Sequence, residues 1–253
     1  MKPLPASPLQ NHLLASLPPL VLERLKPDLE LIWIPPGKIL HESGDHLHHV
    51  YFPTTAIVSL HYTMENGSSA DLAVVGNDGM VGIAFFMGGG NMPHRAMALG
   101  GGHLYQLHCQ SFKNEFDRSG GRRGGALNDL MLRYTQVLLT QMAQTAVCNR
   151  HHTVVQQLCR LLLLSIDHAR SPELKMTHAL IADTLGVRRE GVTEAAGKLQ
   201  AAGLIRYRRG QITVLDRAGL EAGTCECHEV VRNEYDRLIP GRLAGAPRCL
   251  NAA

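Results

Sequence analysis

The sequence has few aromatic residues and no long apolar run. Aromatic residues make up 5% of the 253 positions, with a single tryptophan. The first eight residues, MKPLPASP, contain no apolar core of the length that a signal peptide needs. No later run is long enough to cross a bilayer. We therefore expect a cytoplasmic protein.

Signatures of catalysis are also missing. There is no Walker loop, no serine at a nucleophile elbow and no complete metal triad, so we do not expect an enzyme. Six cysteines in a chain of this size, without a signal peptide, favour free thiols over a disulfide framework. The segment Cys225–His228 (C-E-C-H) places three ligands close together, but a structural zinc needs four. We therefore predict no metal site there.

What the chain does contain is typical of a soluble globular protein. Hydrophobic residues make up 45% and charged residues 19% of the sequence. The length allows one large or two ordinary domains. Between Gly186 and Gly210 there are six Lys or Arg residues and two acids, a net charge of +4 that exceeds the +3 of the whole chain. The basic charge is thus concentrated in one segment.

That segment has the pattern of a winged helix-turn-helix. Thr177 is placed as an N-cap of a short amphipathic helix that ends at Gly186. A second helix is predicted over 189–202, stopped by Gly203. Two β-rich runs, 204–207 and 211–215, follow and are joined by the turn Arg208-Arg209-Gly210. The alternative is an ordinary helical hairpin with a solvated basic face.

The start of the second helix carries the residues that can read DNA. Arg188, Arg189 and Glu190 lie at the end that enters the major groove in this motif. Arginine can donate two hydrogen bonds to guanine, and glutamate can accept one from the amino group of cytosine.

The stretches L-G-V-R-R-E-G-V-T and G-L-I-R-Y-R-R-G-Q-I-T-V-L-D resemble the DNA-binding domain of the Crp/Fnr family of bacterial transcription regulators. The resemblance implies that Arg189 and Glu190 read base edges and that Thr177, His178 and Arg188 contact phosphates. Many members carry a further arginine where this chain has Glu194, so the preferred operator is expected to differ. The predicted DNA-facing set is Thr177, His178, Arg188, Arg189, Glu190, Thr193, Glu194, Lys198, Arg208 and Arg209.

The N-terminal half has a different pattern. After two predicted helices, 12–17 and 20–25, seven short β-rich runs separated by turns indicate a sandwich or barrel. Asn66-Gly67 is a strong hairpin signal. I-P-P-G-K-I-L-H-E-S-G-D is similar to the entry strands of the cyclic-nucleotide-binding-like β-roll of Crp/Fnr sensors.

The resemblance implies an α+β fold: a double-stranded β-roll, a long dimerisation helix and a C-terminal winged helix-turn-helix. We predict a sensor over residues 1–125, a dimerisation helix over 126–150 and a DNA-binding domain with a C-terminal helix over 151–253.

The nucleotide pocket of the family is degenerate in this sequence. Gly82 and Arg95 match family positions, and they are the candidate effector-binding residues. Ile83 stands where the ribose-binding glutamate would be, and Ala96 replaces the hydroxyl that would bond the phosphate. Each buried polar group left unpaired would cost about 1–3 kcal/mol. We therefore expect no useful binding of cAMP, and the effector is unidentified. A surface arginine at a loop end is the alternative interpretation of Arg95.

The sequence also bears on two other sensor chemistries, an iron–sulfur cluster and a cupin-like metal site. An iron–sulfur cluster like that of the oxygen-sensing members is not expected, because no cysteine precedes Cys109. His46 and His48 form an H-x-H pattern similar to a cupin metal site, but no glutamate follows at the required distance. Exposed turn histidines are the favoured interpretation. The rival function is a cupin-like metal or small-ligand enzyme, or binding protein, with an accessory winged helix.

A long helix is predicted after the glycine-rich junction 119–125, because apolar residues recur there at spacings of three and four. In the family this helix pairs with its twin, whereas the alternative is a helix that faces the core of one subunit. Charged substitutions at Leu130 or Leu138 are predicted to yield monomers. The partners implied are a palindromic operator in double-stranded DNA, a second copy of the chain and RNA polymerase. The predicted interface set is Leu127, Leu130, Met131, Tyr134, Val137, Leu138, Gln141 and Met142.

Overall fold

The N-terminal half forms two antiparallel sheets, as its alternating pattern predicts. A computed structural model describes residues 7–65, 69–118, 125–169 and 171–239. Three strands form one sheet in the order β1-β7-β3, and four form the other in the order β2-β6-β4-β5. The strands are β1 (Leu29–Ile34), β2 (Ile39–His41), β3 (His49–Pro53), β4 (Ile57–Thr63), β5 (Ser69–Val75), β6 (Arg95–Gly100) and β7 (Gly102–His108).

Strands β4 and β5 pair up to Thr63 opposite Ser69. The Asn66-Gly67 hairpin signal between them lies outside the described residues.

Short helices cover one end of this β-roll. They are α1 (His12–Ala15) and α2 (Pro19–Leu25), and a further helix, α3 (Cys109–Arg118), follows β7 directly. Asn11 ties α1 to the roll: its side-chain oxygen accepts from the amides of Leu13 and Leu14, and its amide donates to the carbonyls of Pro53 and Gly79 at 2.8 Å. Helix α3 was not predicted, and its apolar residues extend the core of the roll.

The long helix α4 (Ala126–His151) connects the two halves of the chain. One side packs on the roll, where Tyr134 Oη donates to the carbonyl of Met80 at 2.8 Å and Gln141 Nε2 donates to that of Val74 at 2.9 Å. Its described residues include no run apolar enough to cross a membrane, and the same holds for every other helix among the described residues.

The C-terminal half is mostly helical, with a small sheet. Its three strands have the order β8-β10-β9, and β8 was not predicted from the sequence. The elements are α5 (Val154–Ala169), β8 (Glu173–Lys175), α6 (His178–Leu185), α7 (Arg189–Ala201), β9 (Ile205–Arg208), β10 (Gln211–Val214), α8 (Arg217–Gly223) and α9 (Cys227–Leu238).

The two halves are in direct contact. His168 Nδ1 on α5 lies 3.1 Å from Asp78 Oδ1 in the roll, and both side chains are buried. Ser69 Oγ on β5 donates to the carbonyl of Asp183 on α6 at 3.3 Å. Gly186 lies so close to the Ser69 carbonyl that an added Cβ would be 3.1 Å from it. Strand β5 is therefore the surface on which the helix-turn-helix rests.

Candidate nucleic-acid interface

The helix-turn-helix forms as the sequence predicts. Thr177 Oγ1 accepts from the amide of Leu180 at 3.2 Å and caps α6. Gly186 ends that helix with a φ of 64°, a left-handed conformation that glycine adopts without a steric penalty. Helix α7 begins at Arg189 and ends at Ala201, within one residue of the predicted end.

Helix α7 has one buried face and one exposed face. Val192, Ala195, Ala196 and Leu199 are buried against the core of the C-terminal half. The 3–4 spacing of these residues leaves the polar side chains on the opposite side. Exposed there are Arg189, Glu190, Thr193, Glu194 and Lys198.

His178 and Thr193 connect the two helices. Thr193 Oγ1 donates to the carbonyl of Arg189 at 3.0 Å and lies 3.0 Å from His178 Nδ1. The imidazole stacks on Tyr207, with ring centroids 4.1 Å apart. Partial burial and then the charge of Arg189 lower the pKa of His178, which favours its neutral form. His178 is thus held in a fixed position beside α7.

The acid that departs from the family pattern is already paired. Glu194 Oε1 lies 2.8 Å from Lys198 Nζ, one helical turn away. The hydrogen bond from Lys198 lowers the pKa of Glu194. Because both side chains are exposed, the pair contributes little to stability, but it offsets a negative charge on the face that would meet DNA.

The wing is a basic hairpin. Arg209 and Gly210 have φ values of 49° and 77°, the two positive φ angles of a type I′ turn. Side chains alternate along β9, so Arg206 and Arg208 share the exposed face while Ile205 faces the core. Arg206 is not in the predicted DNA-facing set, although the period-two alternation places it beside Arg208.

The remaining candidate effector residues lie in the roll. Gly82 has a φ of 108° and precedes a 3₁₀ turn at Ile83–Phe85. Arg95 Nε on β6 lies 2.5 Å from Glu42 Oε2.

The side chains at these positions do not supply the contacts that the family uses for cAMP. The Nε of Arg95 already donates to a carboxylate of the chain, and the side chains of Ile83 and Ala96 offer no hydrogen bond to a ribose or a phosphate.

The predicted dimer residues of α4 lie elsewhere than expected. Seven of the eight are buried in the chain's own core, and Met142 is partly buried against it. Side chains such as Leu130 and Leu138, 2% and 1% exposed, have no surface left for a partner. The reason is that α4 packs on both the roll and α9, and this packing takes up the apolar positions that the sequence pattern assigns to the dimer. The apolar residues on its open side are Leu132, Leu139, Ala143, Ala146 and Val147.

The histidines of the cupin-like pattern, His46 and His48, are both exposed; His46 forms an isolated β-bridge with Asn91, and His48 directly precedes β3. The three candidate ligands of the C-x-C-H segment are not grouped together in the structure. His228 lies apart from the two cysteines, with its Nε2 3.6 Å from Asp167 Oδ2. Cys225 and Cys227 instead meet Cys148 and His152 of the α4 end, which are far away in sequence.

Comparisons with known proteins agree with this architecture. Residues 31–119 match the sequence model of the cyclic nucleotide-binding domain, and residues 156–222 match that of the Crp-like helix-turn-helix domain. No curated protein matches the chain.

Three solved structures illustrate the similarity of fold. A CRP-family transcriptional regulator of Thermus thermophilus is 17% identical, with 76% of this chain and 95% of that chain covered and a TM-score of 0.61. FixK2 of Bradyrhizobium japonicum is 14% identical (78% and 98% covered, TM-score 0.60). The c-di-GMP-responsive regulator CLP of Xanthomonas campestris is 16% identical (77% and 97% covered, TM-score 0.58).

A cyclic-nucleotide-binding-type β-roll followed by a Crp-like helix-turn-helix defines the class: a transcription regulator in which a sensor-type domain precedes a DNA-binding domain. The chain belongs to the Crp/Fnr family.

Proposed function

We propose that this regulator is a homodimer that binds a palindromic operator through α7 and the wing, and that a signal other than cAMP or cGMP acts on its β-roll. Arg189 and Glu190 are assigned to base edges. Thr177, His178, Arg188, Arg206, Arg208 and Arg209 are assigned to phosphates. RNA polymerase is the further partner proposed from the family.

One observation carries the assignment to DNA. The first turn of α7 presents Arg189 and Glu190 on an exposed face. Neither side chain forms an ion pair with any other described residue; the ion pair on this helix is Glu194–Lys198. A rigid helix with free donors and acceptors at its start is what direct readout in the major groove requires. The anchored wing adds cationic side chains beside it.

Substitutions should separate base readout from phosphate contact. With an operator obtained by selection from a random duplex pool, Arg189→Ala should weaken specific binding by about 1–3 kcal/mol and barely change binding to random DNA. Arg206→Ala should weaken both about equally and lower the salt dependence, since it removes a phosphate contact. Lys113→Ala, an exposed cation on α3 of the roll, is the control. Fluorescence anisotropy over a salt series measures all three.

Equal losses on both DNAs for Arg189→Ala would contradict base readout and reduce Arg189 to a phosphate contact. Failure to select any sequence, with only weak random binding, would contradict the assignment of α7 as a recognition helix.

Dimerisation is assigned to the open side of α4. Leu132, Leu139 and Val147 are 60%, 54% and 45% exposed and lie along one stripe. Apolar positions at coiled-coil spacing are the surface that a second α4 would bury, and a two-fold operator needs a two-fold protein. The division into residues 1–125, 126–150 and 151–253 is kept as part of this proposal.

Signal transmission is assigned to the contact between β5 and the helix-turn-helix. The His168–Asp78 pair and the Ser69–Asp183 hydrogen bond hold α5 and α6 against the roll. A ligand that favours an arrangement in which these contacts are broken would shift the population towards it. The distance between the two recognition helices of the dimer would then change. CLP, which has the same fold, responds to c-di-GMP, so the fold is compatible with signals other than cAMP.

A further inference from the structure

Four metal-ligating side chains meet where α4 ends and α9 begins. Cys148 lies in the last turn of α4 and His152 caps that helix, so the i,i+4 spacing places both on one side. Cys227 is the first residue of α9, and Cys225 lies two positions before it, on the other side of Glu226. One ligand atom from each of the four lies within 4.8 Å of all the others.

Two of the six ligand separations match the edges of a tetrahedral site around one ion. Cys148 Sγ lies 3.6 Å from Cys225 Sγ, and Cys227 Sγ lies 3.6 Å from His152 Nδ1. Bonds to zinc of about 2.3 Å for sulfur and 2.0–2.1 Å for nitrogen give tetrahedral edges of about 3.8 Å between sulfurs and about 3.6 Å between sulfur and nitrogen. An iron–sulfur cluster with several iron atoms would need its ligand atoms farther apart than these.

We propose that Cys148, His152, Cys225 and Cys227 bind one zinc ion. The three cysteines are between 0% and 4% exposed, and the His152 side chain is 13% exposed. Three thiolates and one imidazole in a closed site are the ligands of structural zinc, which leaves no open position for water or substrate.

The surroundings of His152 orient it for this role. Its Nδ1 faces the cysteines, while its Nε2 lies 3.4 Å from Glu226 Oε2. A histidine that binds a metal through one nitrogen usually donates the other N–H to a carboxylate or carbonyl, which fixes its tautomer. Glu226 stands between the two cysteine ligands in sequence and supplies that acceptor.

Charge balance also fits. Zinc binding would release the protons of three thiols to solvent and leave a site with net charge −1. The buried guanidinium of Arg160 donates to Thr145 at 3.1 Å and lies close enough for its charge to act on Cys148 and Cys227. A neighbouring cation compensates the negative site in a region from which water is excluded.

The consequence is a cross-link at the hinge between α4 and α5. Helix α9 already packs along α4 through Val231 and Tyr235, and zinc would fix its first residue to the last turn of α4. The metal would therefore hold the connection between the sensor half and the DNA-binding half in one arrangement.

Metal analysis of the full-length protein, purified with reductant and passed through gel filtration after addition of zinc, tests the proposal. We expect one zinc ion per chain in the wild type and loss of zinc in Cys148→Ser and Cys227→Ser. Cys109→Ser removes another buried thiol, in the roll, and should keep its zinc. A wild type without bound zinc, or cysteine variants that retain it, would overturn the site.

Two further measurements keep the test independent of folding. Cobalt in the wild type should show the visible bands of tetrahedral coordination and sulfur-to-cobalt charge transfer in the near ultraviolet. Glu226→Ala, at an exposed position, should keep the fold while weakening zinc affinity about 10–100-fold, as loss of an outer-shell acceptor does. Octahedral cobalt, unchanged affinity in Glu226→Ala, bound iron in place of zinc, or a Cys148–Cys225 disulfide that forms in the presence of reductant would each contradict the proposal.

Discussion

The recognition helix and the nucleotide segment of the roll each place an arginine where the family binds a ligand, but the two arginines are in different states. Arg189 lies on an exposed face, with no ion pair to any described residue. Arg95 is bonded to Glu42 at 2.5 Å. A family position predicts a function only when the side chain is not already occupied by another part of the chain. By this criterion the arginine of the recognition helix is available to a ligand, whereas the arginine of the nucleotide segment is paired within the chain.

The two sides of α4 repeat this comparison with apolar residues, and they give the largest expected effect. Leu138 is 1% exposed and Leu139 is 54% exposed, although the two are adjacent in sequence. Leu138→Asp should destabilise the fold by about 4 kcal/mol or more, because it buries a charge in the core. Leu139→Asp should leave the fold intact and convert the dimer into a monomer. Thermal unfolding and light scattering measure the two outcomes.

Contrary results have a clear meaning. A folded, monomeric Leu138→Asp would support the sequence-based prediction that the interface lies on the buried side. An unaltered dimer in Leu139→Asp would remove the open side of α4 from the interface.

The interior of the roll beside Arg95 should respond to acid. Burial lowers the pKa of His41 and of His94 to about 4, and their rings lie 6.0 Å apart. A histidine whose folded pKa lies below its unfolded value of 6.5 contributes stability above that value and loses it as pH falls towards 4. The charges of Asp45 and Glu42 oppose the lowering of the His41 pKa. The charge of His61 adds to the lowering of the His94 pKa, and burial lowers the pKa of His61 itself.

Asp71 acts in the opposite direction. Burial raises its pKa to about 7, so its contribution is present at low pH and is lost as pH rises through 7. Between pH 7 and pH 5 we expect the free energy of unfolding, measured with urea, to fall by roughly 1–3 kcal/mol. Asp71→Asn should make this fall larger, because it removes the group that opposes it. Constant stability across this range in both proteins would contradict the assignment of neutral histidines.

The sequence was informative where local chemistry determines structure. The cap at Thr177, the glycine at 186 and the apolar spacing of α7 depend on near neighbours, and all three predictions are confirmed. Helix α3 and strand β8 were missed because tertiary packing decides them.

The metal ligands were missed for a related reason. Cys148 and Cys225 are 77 positions apart, so the segment 225–228 showed only three ligands in sequence. The packing of α9 on α4 brings the others, and no local signal indicated that contact.

The weakest expected effect tests the comparison itself. Glu42→Gln would free Arg95 from its carboxylate at a cost of roughly 0–1 kcal/mol, because both side chains of the pair are partly exposed. Freeing the arginine should not create a cyclic-nucleotide site, since the side chains of Ile83 and Ala96 still provide no partner for the ribose or the phosphate. Calorimetry with cAMP and cGMP should show no binding to the wild type or the variant. Binding by the variant alone would mean that the Glu42 contact is what closes the site, and that the roll differs from a nucleotide sensor by a single carboxylate.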